Sequence, residues 1–195
     1  MKLKLLSQNS KMKKASLKTY NFDLPAIKTC PFADKCKAYC YATKGFYQMP
    51  SVKRKFENNL IASKQDNFFM QIQVELNYLK SKNKIDAIRI HSSGDFYSFK
   101  YLMQWRLIML DNPEIVFYAY TKSIPYFEQL LENYTLPDNF KVIFSEGGKY
   151  DNKIKELNLR HVKLVNQYSS NAMTSDSDDS MILFSNDNIE IIRRW

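Results

Sequence analysis

The sequence predicts an α/β protein: a partial (β/α) barrel with a mostly parallel sheet, an N-terminal cysteine loop and a C-terminal β-hairpin. Short apolar runs of strand length alternate with amphipathic stretches of helix length between residues 85 and 166, which is the pattern of successive βα units. Each run ends in a polar loop of small residues, and three of the four glycines (Gly94, Gly147 and Gly148) stand in those loops. Thirteen Phe, thirteen Tyr and two Trp in 195 residues supply the apolar surface that one core needs.

Residues 1–29 read as irregular, with an extended arm at Lys2–Ser7, because Pro25 and Pro31 interrupt any helix there. Ser51 is placed to cap a helix through Phe56, Leu60 and Ile61, and Asp66 a second through Phe69, Ile72, Leu76 and Leu79. Ile85–His91 reads as a buried strand running into Ser92-Ser93-Gly94-Asp95-Phe96. Ser98 then caps a helix with Tyr101, Leu102, Trp105, Ile108 and Met109 on its apolar side. Ile115–Tyr120 is the next strand, and a helix begins at Ile124-Pro125, where proline is tolerated in the first turn. Lys141–Ser145 and His161–Asn166 read as strands, separated by a short helix near Asn152–Leu157. Ser169–Ser180 reads as a mobile polar loop, and Met181–Phe184 with Ile189–Ile192 as a terminal hairpin. The chain is expected to be one domain: a basic arm and cysteine loop over 1–50, a βα core over 51–168, and the loop and hairpin over 169–195.

The net charge of +9 is concentrated at the start of the chain. Residues 1–55 hold thirteen Lys or Arg against Asp23 and Asp34 alone. Such a segment attracts phosphates or acidic partners, which makes nucleic acid or a host protein the expected macromolecular partner, and a solvated lysine-rich face the plain alternative. Lysine gives point charges rather than a bidentate grip, so sequence-specific DNA readout is not expected. No apolar run approaches the ~18 residues of a membrane span, and Met1–Leu6 is too short and basic for a signal peptide. A cytoplasmic protein with no membrane partner is expected.

Cys30, Cys36 and Cys40 fall within eleven residues, an odd and clustered set unlike a secreted disulfide framework. Thiolates from one loop suit a metal centre. Three cysteines holding a 4Fe–4S cluster would leave one iron open to an exogenous ligand, and the spacing favours that reading. Structural zinc is the alternative, with the fourth ligand drawn from His91, His161 or a carboxylate. A second constellation, His91-Ser92-Ser93-Gly94-Asp95, ends a strand. Gly94 lets backbone approach a ligand and Asp95 is suited to pair with an amine, whereas a turn in which Asp95 satisfies local amides is the structural alternative. His91, Lys122 and Glu146 fall on the same sheet edge and are candidate substrate or cofactor contacts.

Several segments resemble the phage gene product 88 family: Leu6-Ser7-Gln8-Asn9-Ser10-Lys11-Met12, Thr29-Cys30-Pro31, Cys36-Lys37-Ala38-Tyr39-Cys40-Tyr41-Ala42, Arg89–Phe96 and Phe117–Ser123. The layout is in turn similar to a reduced radical S-adenosylmethionine (SAM) protein. That resemblance implies Cys30, Cys36 and Cys40 as cluster ligands, Tyr39 as the aromatic before the last of them, and Ser93, Gly94 and Asp95 around the SAM amine. It also implies radical chemistry on an unidentified substrate, in the host cytoplasm if the chain is phage-encoded. The cysteine spacing of five and then three residues departs from the usual three and two in such enzymes, and the usual Gly-Gly-Glu-Pro is absent. The alternative function is a non-catalytic phage accessory protein with a zinc knuckle and a basic surface for nucleic acid or a host protein.

Overall fold

The structure is a computed structural model that describes residues 4–167, 169, 173–174 and 179–192. Its strands are β1 (Thr19–Phe22), β2 (Ala87–Ile90), β3 (Val116–Thr121), β4 (Phe140–Ser145), β5 (His161–Val165), β6 (Met173–Thr174) and β7 (Ile189–Ile192). Its helices are α1 (Ser10–Lys14), α2 (Pro50–Ser63), α3 (Phe68–Ser81), α4 (Phe99–Leu110), α5 (Ile124–Leu131), α6 (Asp151–Glu156) and α7 (Ser180–Phe184). The strands form one sheet in the order β1-β2-β3-β4-β5-β7-β6, and every pairing is parallel. Five strands follow one another sideways in chain order, as in a (β/α) barrel. The loops after β2, β3, β4 and β5 therefore open on one edge.

Alternation along the strands sorts their side chains onto two faces. Phe22, Ile88, Ile90, Phe117, Ala119 and Phe144 lie under the helices and share the main core with Leu60, Ile72, Trp105 and Phe127. Phe22 makes edge contacts with Phe68 and Trp105, at ring separations of 5.4 and 5.3 Å. Ala87, Tyr118, Ile143, Val162 and Ile189 point the other way and form a smaller cluster with Ile182 of α7. On this second face, Met12 of α1 receives the Tyr118 hydroxyl at 3.5 Å. Two five-residue helices thus fill part of the space a closed barrel would fill with side chains.

Local signals explain most boundaries. Ser98 Oγ accepts the Tyr101 N–H at 3.3 Å and caps α4 as expected. Proline occupies the first turn of both α2 and α5, where its missing N–H costs no hydrogen bond. The two helices expected to be capped by Ser51 and Asp66 instead follow Met49 and Asn67, with no side-chain cap at either. In the N-terminal arm Ser7 bridges Asn21 in antiparallel fashion, and the buried Glu75 of α3 accepts the N–H groups of Leu5 and Leu6 at 2.9 and 2.8 Å.

The C-terminal hairpin is corrected. Met181–Phe184 lies in a turn of helix, and Ile189–Ile192 pairs in parallel with β5. A four-residue apolar run carries no usable period, and here it buries Ile182 from a helix. The loop expected over Ser169–Ser180 falls largely outside the described residues.

Among the described residues, no helix is long and apolar enough to cross a membrane.

Candidate functional site

The register places Asn21 beside Arg89 and Arg89 beside Tyr118 on the face turned away from the main helices. Arg89 is a charged residue in an otherwise apolar strand, and it is 91% buried by its 9% relative exposure. Its Nη1 donates to Asp179 Oδ2 at 3.0 Å. The same carboxylate accepts the Tyr118 hydroxyl at 2.9 Å and pairs with Lys11 Nζ at 2.8 Å. Burial alone would raise the Asp179 pKa, but Arg89 and Lys11 outweigh it and hold the carboxyl below its ordinary range. Lys11 and Arg89 share the Asp179 carboxylate. The guanidinium also lies over the Tyr120 ring, 5.1 Å from its centroid, and Arg89 Nε has no hydrogen-bond partner among the described residues.

Two cavities meet at this cluster. The larger, of about 710 Å³, is closed by α1, the start of α2 and the 3₁₀ turns at Tyr41–Thr43 and Gly45–Gln48. Lys11, Lys55 and Arg89 line it with positive charge, and Tyr41, Phe46, Tyr47 and Phe56 line it with aromatic surface. Asn21 and Asp23 complete its floor. The smaller, of about 150 Å³, is lined by Cys36, Lys122, Ser145 and Glu146 and shares Lys11, Tyr41 and Arg89 with the first. The structure therefore brings Cys36, Lys122 and Glu146 together, as the common sheet edge implies. Glu146 Oε1 stands 3.8 Å from His161 Nε2.

The iron–sulfur and zinc readings are overturned. Among the described residues, no group of three or more His, Cys, Asp or Glu side chains is arranged to hold a metal ion. Lys35–Tyr39 is a 3₁₀ helix, and Cys40 follows it as an extended cap residue. Cys30 belongs to the preceding turn, where its N–H bonds the Ile27 carbonyl at 3.1 Å. Burial, with the Asp95 charge adding to it, pushes the Cys30 thiol up to about 12, and burial also raises Cys36. The loop is anchored to the strand ends instead: the N–H groups of Asp34 and Cys36 both donate to the Gly147 carbonyl, and Phe32 packs edge-on to Tyr126 and Tyr150. Tyr39 lies against Gly147, where its hydroxyl would sit 2.7 Å from an added Cβ. With that donor set the residues do not fit a cluster, and no radical-SAM chemistry follows from them.

Ser93, Gly94 and Asp95 stitch the β2–α4 loop to its neighbours. Ser93 Oγ donates to the Leu24 carbonyl at 2.8 Å, and Asp95 accepts Thr121 Oγ1 at 2.6 Å and the N–H groups of Phe96 and Lys122, each at 2.8 Å. Asp23 Oδ1 accepts the N–H and hydroxyl of Ser92, both at 2.6 Å. Burial raises the pKa of both carboxyls, against the pull of those hydrogen bonds.

His91, in a left-handed conformation at φ 67°, turns into the helix-covered core between Phe96 and Tyr101, and its Nε2 meets the Tyr101 hydroxyl at 2.8 Å. Burial lowers its pKa from 6.5 to about 3. Below pH 6.5 the unfolded chain therefore holds a proton that the folded chain refuses, and stability drops by about 1.4 kcal/mol per pH unit as pH falls through that window. Asp23 and Asp95 act in the opposite sense, so the effect is read as a difference. His91→Asn, which suits the left-handed backbone, is expected to close the stability gap to wild type by roughly 2 kcal/mol between pH 7 and pH 5 in urea melts. A pH-independent gap would refute the buried neutral imidazole.

The sequence reading missed Arg89, Asp179, Lys11, Asn21 and Asp23. Arg89 carried a signal: a charge at the centre of Ala87-Ile88-Arg89-Ile90, which is buried throughout. Asp179 carried none, since it stands in an acidic run.

A sequence model described as Gene product 88 matches residues 3–187. The Gene 88 protein of Mycobacterium phage L5 is 28% identical over 135 residues, which cover 58% of this chain and 55% of that protein. The chain thus spans about half the length of this curated relative. No solved structure matches.

Proposed function

The chain belongs to the gene product 88 family, whose description names no activity, and on the geometry of the site we propose that the larger cavity binds a nucleotide. The observation that carries this reading is Arg89. It is a buried guanidinium with one nitrogen on Asp179 and with Nε unpartnered among the described residues, set with Lys11 and Lys55 in a cavity of about 710 Å³. Burying such a cation is costly unless its polar atoms are met, and Arg89 Nε, without a hydrogen-bond partner among the described residues, is a place for an acceptor of a bound anion. The volume falls within the ~300–1,000 Å³ of small-molecule sites. Phosphate oxygens suit the three cations, while Tyr41, Tyr47 and Phe56 offer faces for a base and Asn21 offers an amide for its edge. The proposal assigns this binding to the host cytoplasm.

Calorimetric titration with thymidine and adenosine 5′-monophosphates tests it, with the matching nucleosides as controls. The monophosphates are expected to bind at least about tenfold more tightly than the nucleosides. Lys55→Gln, which removes one rim cation, is expected to weaken the monophosphates and leave the nucleosides unchanged. Equal affinity for nucleoside and nucleotide, or no binding of either, overturns the proposal.

A further inference from the structure

A second concavity, of about 700 Å³, runs along the outer side of α2. It shares Ser51 and Lys55 with the nucleotide cavity, so the two are adjoining stretches of one surface path. Its polar lining is Lys4, Arg54 and Lys55 with the amides Asn58, Gln65 and Gln71, beside the apolar Leu5, Ile61 and Ala62, and no carboxylate is among its described lining residues. The mouth of the path carries unusual apolar exposure: Phe46, which lines the inner cavity, is 84% exposed, and the nearby Met49 is 47% exposed.

We infer that this path holds a single strand of nucleic acid whose phosphate-bearing end seats in the inner cavity. The inference rests on the nucleotide reading and extends it from a free nucleotide to the end of a polymer. A positive groove that tracks a backbone, with aromatic surface for stacking beside it, is the general arrangement of single-strand binding. Its charge belongs to the excess of thirteen cations over two acids in residues 1–55. The turn from the outside of α2 past Lys55 into the sheet interior excludes a duplex, whose persistence length of about 50 nm forbids so tight a bend. A solvated lysine face would explain the charge, but not the exposed phenylalanine or the continuity with a buried guanidinium.

The test compares thymidine 5′-monophosphate with a 5′-phosphorylated oligothymidylate of roughly 30 nucleotides, linear or closed into a circle, so that the strand exceeds any one-domain site size. The linear strand is expected to bind at least about tenfold more tightly than the monophosphate and at least about tenfold more tightly than the circle. Arg54→Glu, on the exposed side of α2, is expected to weaken the linear strand about tenfold and leave the monophosphate unchanged. A linear strand no tighter than the monophosphate, a circle as tight as the linear strand, or an Arg54→Glu variant that binds the strand normally would each overturn the inference while the nucleotide cavity stands. Failure of the monophosphate itself would remove both.

Discussion

Gly94→Ala is expected to destabilise the protein by about 3 kcal/mol, and to lower its melting temperature by about 6–12 °C. Gly94 has φ +87°, and a Cβ built there would lie 2.6 Å from Leu24 Cβ and 2.6 Å from Thr29 Oγ1. Leu24 Cβ is fixed to a backbone whose N–H is bonded to the Ser93 carbonyl at 2.9 Å, so relief requires separating β1 from the β2–α4 loop. Left-handed strain adds about 1 kcal/mol to an overpacking cost of ~1–3 kcal/mol. Gly45 is the internal control, with φ +54° and nothing within 4 Å of an added Cβ. Gly45→Ala should cost only the strain. Urea denaturation of both variants reads the difference, and equal midpoints would show that the packing around Gly94 is not as described.

Asp179→Asn is expected to cost about 3–5 kcal/mol, the usual penalty for leaving one partner of a buried ion pair without the other. The asparagine keeps the shape and one acceptor for Tyr118, so the loss isolates charge. Because Arg89 and Lys11 hold the Asp179 carboxyl below its ordinary pKa, its stabilisation is fully present above the unfolded value of about 3.8 and is lost as pH falls through the lower folded value. The double variant Asp179→Asn with Arg89→Met should recover much of the loss, since an apolar side chain of similar length removes the orphaned cation. A double variant as unstable as the single one would mean that Asp179 acts through something other than Arg89.

The βα core was legible in the sequence because its signals are long and redundant. Ser98 caps a twelve-residue helix with a clear apolar stripe, and the strands from β2 to β5 lie within a residue or two of their apolar runs. The ends were not. β1 is a four-residue strand in which Tyr20 and Phe22 alternate with Thr19 and Asn21, between lysine-rich and proline-rich stretches, and contacts distant in sequence, its pairing with β2 and the packing of Phe22 on Phe68 and Trp105, stabilise it. Met181–Phe184 was ambiguous by length alone. The cysteine spacing suggests a metal-binding loop, yet among the described residues no metal-binding group forms, because spacing alone does not say which further side chains stand beside the thiols. The polar cavity escaped because Asn21, Arg89 and Asp179 meet only through sheet register and a long return of the chain.

The strand order has a consequence in time. β7 sits between β5 and β6, so it enters a place whose two neighbours precede it in the chain. During synthesis the edge of β5 waits while residues 166–188 are made, roughly 1–5 s at ~5–20 residues per second. Asp179 arrives within that interval, so until then Arg89 lacks the carboxylate it is bonded to in the finished fold. A cation on that uncovered face disfavours stacking one nascent sheet face on another until the chain's own last strand arrives.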